Sequence, residues 1–529
     1  MRASRRILAL GWTMGLLVAA ASPAFGQLTQ TRVAEGALMG KSSGAIAAYL
    51  GVPYAAPPTG NNRWKPPGPA APWTGVRAAN KHAASCEQAV TPNGFGPWTK
   101  EYVVNGAVSE DCLYINVWTP ASNAGERLPV LFWIHGGGFS SGSGSVPIYD
   151  GAALAAQGIV VVNINYRVGV YGFLAHPQLT TESSSHSSGN YGLMDQLAAL
   201  QWVRANIAAF GGDARRITIA GQSAGAASVH FLISSPLAKG LFTQAIAESG
   251  SGMGLPVPER AVAEASGRNL GSGGGETLTI KQLRGLNAFE LDARVAKMSG
   301  GAPPAFRFGP CIDGFFLPDA ATLEKNTNDT PILTGITANE AAGINPNFGT
   351  ATAIAFNGQL QQAYGSFAPK VAALYPATTD RQAAAQFEAH ARDRGLAAMY
   401  LWAKDRFSQT RHPIYAYLWT HIEPGADSHR YKAFHSSEIP YVFDTLEASQ
   451  RPYTDTDRAI AKRMSSYWVN FITTGDPNGK GLPTWPVLMS TDKRIMELGD
   501  RAQQRAVLSP TRLSAFDEYV KSGGQLGIF

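Results

Sequence analysis

Only three cysteines occur in 529 residues, which excludes a disulfide-built scaffold and leaves room for one internal bridge. Charged residues make up 16% of the chain and no run of five Lys or Arg occurs. The pI of 9.1 therefore does not mark a nucleic-acid binder, which would need a clustered basic footprint. No Cys or His group has metal-ligand spacing, so neither a metal nor another cofactor is expected. Internal repeats are absent, which excludes a solenoid. The main apolar stretch, Ile7 to Ala21, falls short of the roughly 20 residues needed to span a bilayer.

That stretch reads instead as a targeting signal. Arg2, Arg5 and Arg6 precede it, and Ala24-Phe25-Gly26 places small residues where a signal peptidase cuts. Ser4-Arg5-Arg6-Ile7-Leu8 also resembles a twin-arginine signal. The expectation is a signal peptide over 1–26 and one domain over 27–529, secreted or periplasmic, with no stable membrane anchor after cleavage. Three of the positive charges leave with the signal, so the formal net charge drops from +6 to a modest excess. In an oxidising compartment Cys86 and Cys112 can pair, closing a loop worth roughly 3–4 kcal/mol in the chain-entropy model. Cys311 is left over, and a buried core thiol is its expected fate.

Hydrophobic residues form 45% of the chain, ample for a large core. From about residue 128, strand-like runs alternate with helical patterns: Leu128 to Ile134, Gly158 to Tyr166, Arg216 to Ala220, Gln244 to Glu248, Pro331 to Ile336 and, last, Ile414 to Thr420. Continuously apolar strands are buried on both faces, the mark of a mostly parallel sheet covered by helices. Leu193, Leu197, Leu200, Val203, Ile207 and Phe210 fall at helical spacing before Gly211-Gly212, and Thr379 to Arg406 is a second, Ala-rich helical stretch. Gly271-Ser272-Gly273-Gly274-Gly275 reads as a flexible loop within the helical region. The fold class is α/β.

Gly221-Gln222-Ser223-Ala224-Gly225 matches G-x-S-x-G, with a strand entering it and a helical stretch, Ala226 to Ile233, leaving it. A sharp strand-turn-helix needs glycine on both sides and lifts the serine hydroxyl clear of the sheet. Acyl transfer also needs donors for the oxyanion. The Ala224 N–H supplies one, and His135-Gly136-Gly137-Gly138-Phe139, directly after a strand, offers others. Each such donor is worth about 3 kcal/mol in the transition state.

A serine needs an oriented histidine to become a nucleophile. In chain order the acid and then the base follow the serine, on loops at the carboxyl ends of strands. That leaves His390, His412, His421, His429 and His435 out of ten histidines. His390 lies inside the Ala-rich helix, His412 and His421 bracket the last strand, and His429 and His435 lie in the loop where the base belongs. Glu340 is the first carboxylate after the Pro331 to Ile336 strand.

From Gly51 to Pro486 the chain resembles the type-B carboxylesterases, which include the cholinesterases and the bacterial para-nitrobenzyl esterases. The matching blocks are Gly51-Val52-Pro53-Tyr54-Ala55 with Pro57-Pro58, Glu110 to Trp118, Asn165-Tyr166-Arg167-Val168-Gly169, Gly189 to Gln196 and Thr474-Gly475-Asp476-Pro477-Asn478. The resemblance implies an α/β-hydrolase fold with long loops forming an active-site gorge. His435-Ser436-Ser437-Glu438-Ile439-Pro440-Tyr441 is similar to the segment holding the family's catalytic histidine, and Thr337-Ala338-Asn339-Glu340 to that holding its acid. By the same matching Gly137, Gly138 and Ala224 correspond to the oxyanion donors, and Cys86 with Cys112 to a disulfide closing a loop beside the gorge. Gln222 stands where many members carry Glu, Ala341 replaces the usual Gly after the acid, and no cysteine lies between Cys112 and Cys311 to form the second disulfide of many eukaryotic members.

The expected activity is hydrolysis of a small-molecule carboxylic ester by Ser223, His435 and Glu340 through an acyl-enzyme. Alternatives are the same triad acting on amide, carbamate or polyester bonds, and a non-catalytic binding protein of the same fold. Trp98, with Phe95 nearby, and Phe139 are candidates for lining an apolar pocket, although loop aromatics as often serve packing.

Overall fold

Valine-, isoleucine- and aromatic-rich runs form the strands because both of their faces can be buried. In the computed structural model Val130, Leu131, Phe132, Trp133 and Ile134 are each at most 1% exposed. The structure describes residues 27–250, 257–272, 277–298, 308–324 and 327–528. The signal over 1–26 and Gly273 to Gly275 of the expected glycine loop lie outside the described residues. Gly271 and Ser272 end a helix, Arg260–Ser272.

The main sheet has eleven strands. In chain order they are β1 (Lys41–Ser43), β2 (Ile46–Pro53), β3 (Tyr114–Thr119), β4 (Leu128–Ile134), β5 (Val160–Ile164), β6 (Gly212–Gln222), β7 (Gln244–Glu248), β8 (Ile332–Thr337), β9 (Ile414–Trp419), β10 (Arg494–Leu498) and β11 (Ala502–Ala506). The spatial order is β11-β10-β9-β8-β7-β6-β4-β5-β3-β2-β1. From β5 to β10 every neighbouring pair is parallel. The strands from β1 to β3 and the edge strand β11 run antiparallel to their neighbours. Strand β4 has β5 on one side and β6 on the other, so chain direction across the sheet reverses there. A crevice opens outside the carboxyl ends of strands at such a point.

Every parallel strand read from the sequence is present, but Ile414–Trp419 is not the last. Two strands follow it. Only Ile495, Met496 and Leu498 of β10 are buried and β11 is polar and largely exposed, so an apolar run was never there to be seen. The first strands were likewise missed.

Four helices bear on the site. The first, α1 (Tyr191–Asn206), buries Leu193, Leu197, Leu200 and Val203 of the anticipated stripe and also Asp195 and Gln196, so it is enclosed rather than one-faced; Ile207 and Phe210 are buried in the 3-10 turn that follows it. Arg167 grips Asp195 through two 2.7 Å hydrogen bonds, the pair being nearly inaccessible. Helix α2 (Ala224–Ser234) leaves the serine turn fully buried. The Ala-rich segment forms α3 (Asp380–Arg406), started by a capping box of Thr379 and Gln382. A similar box of Thr454 and Asp457 starts α4 (Asp455–Thr474), and Gly475 ends it at φ 79°. Among the described residues no helix is long and apolar enough to cross a membrane.

Candidate active site

Ser223 follows the last residue of β6 and precedes α2 with φ 59° and ψ −122°. Such positive φ is costly for a side-chain-bearing residue and persists only where its surroundings over-determine it. Here the Ser223 N–H donates to Glu248 O of β7 at 2.9 Å, and Ser223 O accepts from Ala227 N at 2.9 Å. The helix start lies against the end of β4: a Cβ on Gly225 would meet Ile134 O at 2.0 Å. No side chain fits at that contact. Ser223 remains half-buried.

The glycine turn after β4 faces this serine. A Cβ on Gly136 would come within 3.1 Å of Ser223 Cβ and 3.0 Å of Gln222 Oε1. Gly137, Gly138 and Phe139 all take positive φ, 108°, 61° and 59°, a bend that only glycine-rich sequence enters cheaply. The Ala224 N–H lies in the first turn of α2, where amides lack intrahelical acceptors. His135, which opens the turn, is scaffold. Its ring stacks on Tyr166 at 4.2 Å, its Nδ1 lies 2.8 Å from Gly136 O, and burial pushes it down to about 4.

Of the five candidate histidines, His435 alone meets Glu340. His435 Nδ1 lies 2.5 Å from Glu340 Oε2, with both side chains almost fully buried. The other oxygen, Oε1, accepts from Thr337 N at 2.7 Å, so the end of β8 fixes the carboxylate. The two loops are joined as well: Asn339 N donates to Ala433 O at 3.0 Å and Ala433 N to Asn339 Oδ1 at 3.3 Å. Ala341 is absent from the residues of positive φ, whereas Gly343 takes φ 77°, so alanine after the acid costs the backbone nothing. The remaining histidines sit elsewhere. His390 bonds Tyr364 OH at 2.7 Å, His421 lies between Asp457 and Asp500 at 2.9 and 2.6 Å, and His412 and His429 are exposed.

Several residues around the site had been given no role in the sequence reading. Gln222 is 2% exposed and its Nε2 lies 3.1 Å from His435 Nε2. Behind the acid, Glu248 and Glu438 are wholly buried. Burial first, and then mutual repulsion, hold the Glu438 carboxyl well above the usual range, and burial does the same for Glu248. Glu248 accepts from Trp468 Nε1 at 2.7 Å, and Ser249 Oγ donates to Glu438 at 3.4 Å. The one signal for Glu248 was a carboxylate ending an apolar strand.

Cys86 and Cys112 form a disulfide. Within the loop they close, Trp98 Nε1 donates to His435 O at 3.0 Å, and its ring meets Phe95 at 5.2 Å and the His435 ring edge-on at 6.5 Å. Arg451 holds the loop from outside, donating to Pro97 O at 2.9 Å and Thr99 Oγ1 at 2.8 Å. Phe139 is 7% exposed and packs on Phe173 and Phe231. Cys311 is the buried thiol expected, pushed up by burial. Among the described residues no group of three or more His, Cys, Asp or Glu is placed to hold a metal ion.

Comparison with known proteins identifies the family and the fold. Residues 27–516 match the carboxylesterase family. The fumonisin B1 esterase of Sphingopyxis macrogoltabida is 36% identical over 501 residues, covering 91% of this chain and 89% of that protein. A solved carboxylesterase of Geobacillus stearothermophilus superposes with a TM-score of 0.78 at 32% identity, covering 92% of this chain and all of that one. A doubly wound α/β-hydrolase sheet, matched over nearly its whole length by ester-cleaving enzymes, leaves one assignment: the chain belongs to the carboxylesterase family and is a carboxylic-ester hydrolase.

Proposed function

We propose that Ser223, His435 and Glu340 are the catalytic triad of this esterase. Pairing of His435 with Glu340 at 2.5 Å beside the serine turn carries the reading. His435 takes the Ser223 proton through Nε2 as the serine oxygen attacks the ester carbonyl. Glu340 fixes the Nδ1–H tautomer and stabilises the imidazolium. The N–H groups of Gly137, Gly138 and Ala224 hold the oxyanion. His435 then protonates the departing alcohol, and water repeats the sequence to release the acid from Ser223.

Residues 27–529 act as one catalytic domain, exported after loss of 1–26. Trp98, beside His435, and Phe139, next to the oxyanion turn, contribute the apolar wall of a pocket for a small ester. Ser223→Ala is expected to abolish turnover while leaving the melting temperature unchanged, and a fluorophosphonate probe to label Ser223 alone. Turnover surviving in that variant would overturn the triad. A panel of esters varied in acyl and alcohol groups, with fumonisin B1 included because a 36% identical relative bears its name, separates the substrate classes.

A further inference from the structure

We propose that Glu423 is a positioning residue: it gathers donors from separate segments of the chain and so fastens the Trp98 stretch of the disulfide loop over the turn that carries His435. Its bearing on catalysis rests on the triad reading; the fastening itself does not. Glu423 lies in the loop after β9 and is 1% exposed. Its Oε2 accepts from Tyr102 OH, within the disulfide loop, at 2.9 Å. Its Oε1 accepts from Tyr453 OH and lies 3.4 Å from Arg451 Nε, both from the segment before α4. The same guanidinium reaches Glu101 Oε1 at 3.2 Å and Pro97 O at 2.9 Å, so residues 97–102 are bound to the body on one side. On the other side they meet Phe434, the neighbour of His435. The rings of Trp98 and Tyr102 stand edge-on to it at 6.1 and 5.7 Å. Trp98 is thereby held where its N–H reaches His435 O.

Glu101 and Glu423 share one guanidinium, so the enclosed cluster carries excess negative charge when both are ionised. Burial first, with Glu101 adding to it, pushes the Glu423 carboxyl up to about 7, against the pull of Arg451 and the two phenols. Tyr441 also faces it, and His421, earlier in the same loop, is held between Asp457 and Asp500. Below that pH the carboxyl keeps its proton, and one phenol turns to accept it. A loop swung away leaves Glu423 in water, where it ionises near its ordinary value of about 4.3. The fastened form therefore holds a proton that the loosened form releases. Fastening is complete below the ordinary value and weakens as pH rises toward 7. A packing contact alone has no such dependence.

The test follows hydrogen exchange of residues 95–105 in the purified enzyme, corrected for the intrinsic effect of pH, together with steady-state kinetics on one neutral ester. Each variant is checked for its melting temperature. Wild-type exchange over this stretch is expected to rise about tenfold from pH 5 to pH 7. Glu423→Gln, which keeps an acceptor and cannot ionise, is expected to stay level. Tyr102→Phe keeps the ring on Phe434 and removes the hydroxyl. It is expected to exchange about 5- to 10-fold faster over the same stretch at pH 5, with β6 and β8 unaffected, and to lower kcat several-fold with KM little changed. Wild-type exchange in Tyr102→Phe, faster exchange with wild-type kcat, or a pH response that persists in Glu423→Gln overturns the role of Glu423. Retained activity in His435→Asn removes the triad instead, and the loop exchange reads the same whichever residue is the base.

Discussion

The indole N–H of Trp98 donates to the backbone carbonyl of His435 across 337 residues of sequence. The disulfide loop therefore holds the backbone that carries the proposed base as well as bordering the site. Trp98→Phe keeps the ring and removes the donor. It is expected to cost about 1 kcal/mol of stability and to lower kcat several-fold, read from denaturant unfolding and steady-state kinetics on one ester.

Opening the Cys86–Cys112 bridge should act through the same contact. With the partners 26 positions apart in sequence, replacing both by serine is expected to cost roughly 3–4 kcal/mol. Thermal unfolding under oxidising and reducing conditions measures it: the wild type should lose stability on reduction and the double variant should not respond.

Glu340→Gln retains shape but permits the wrong imidazole tautomer. A fall in kcat of about 10⁴ is expected with KM little altered, visible in single-turnover kinetics. A fall below tenfold would show that another carboxylate orients His435.

Gly225→Ala tests the serine turn itself. Its Cβ would press on a strand carbonyl at 2.0 Å, an atom that cannot step aside. The variant should be destabilised by several kcal/mol or fail to accumulate as folded protein, whereas alanine at Gly60, where nothing lies within 4 Å of the added Cβ, should escape that clash.

Stability should fall on both sides of a maximum. Burial pushes His230 and His390 down to about 3 and His135 to about 4, so all three are neutral when folded. Unfolding lets them charge near their ordinary value of about 6.5. Their contribution is complete above that pH and is lost as pH falls toward the folded values. Glu248 works in the other direction. Its carboxyl stays protonated in the fold while the unfolded chain ionises, so stability declines as pH rises above about 4.3 toward the raised folded value. Glu248→Gln, which keeps an acceptor for Trp468, should therefore stabilise at pH 8 and do nothing at pH 4. Urea titrations at the two pH values decide it.

Much of this was legible in the residues. Apolar runs gave β4 to β9 because these strands are buried on both faces, and G-x-S-x-G between a strand and a helix located the turn at Ser223. Strands β10 and β11 were invisible because one is half-buried and the other polar. The choice of His435 over His429 needed family resemblance, since both follow β9 and only folding brings one of them to Glu340. Gln222, noted only as a departure from the family's Glu, and Glu248 were given no role for a related reason. Their importance lies in what faces them across the sheet, which spacing along the chain does not encode.

The residues proposed for bond cleavage ride on the ends of β6, β8 and the turn after β9, pinned by ladders on either side. Trp98 and Phe95 ride on a loop tied to the body by one covalent link and a guanidinium clasp. The two mounts are not independent, because the Trp98 indole bonds the His435 carbonyl: lengthening or trimming the loop would disturb the seat of the proposed base as well as the aromatics beside it.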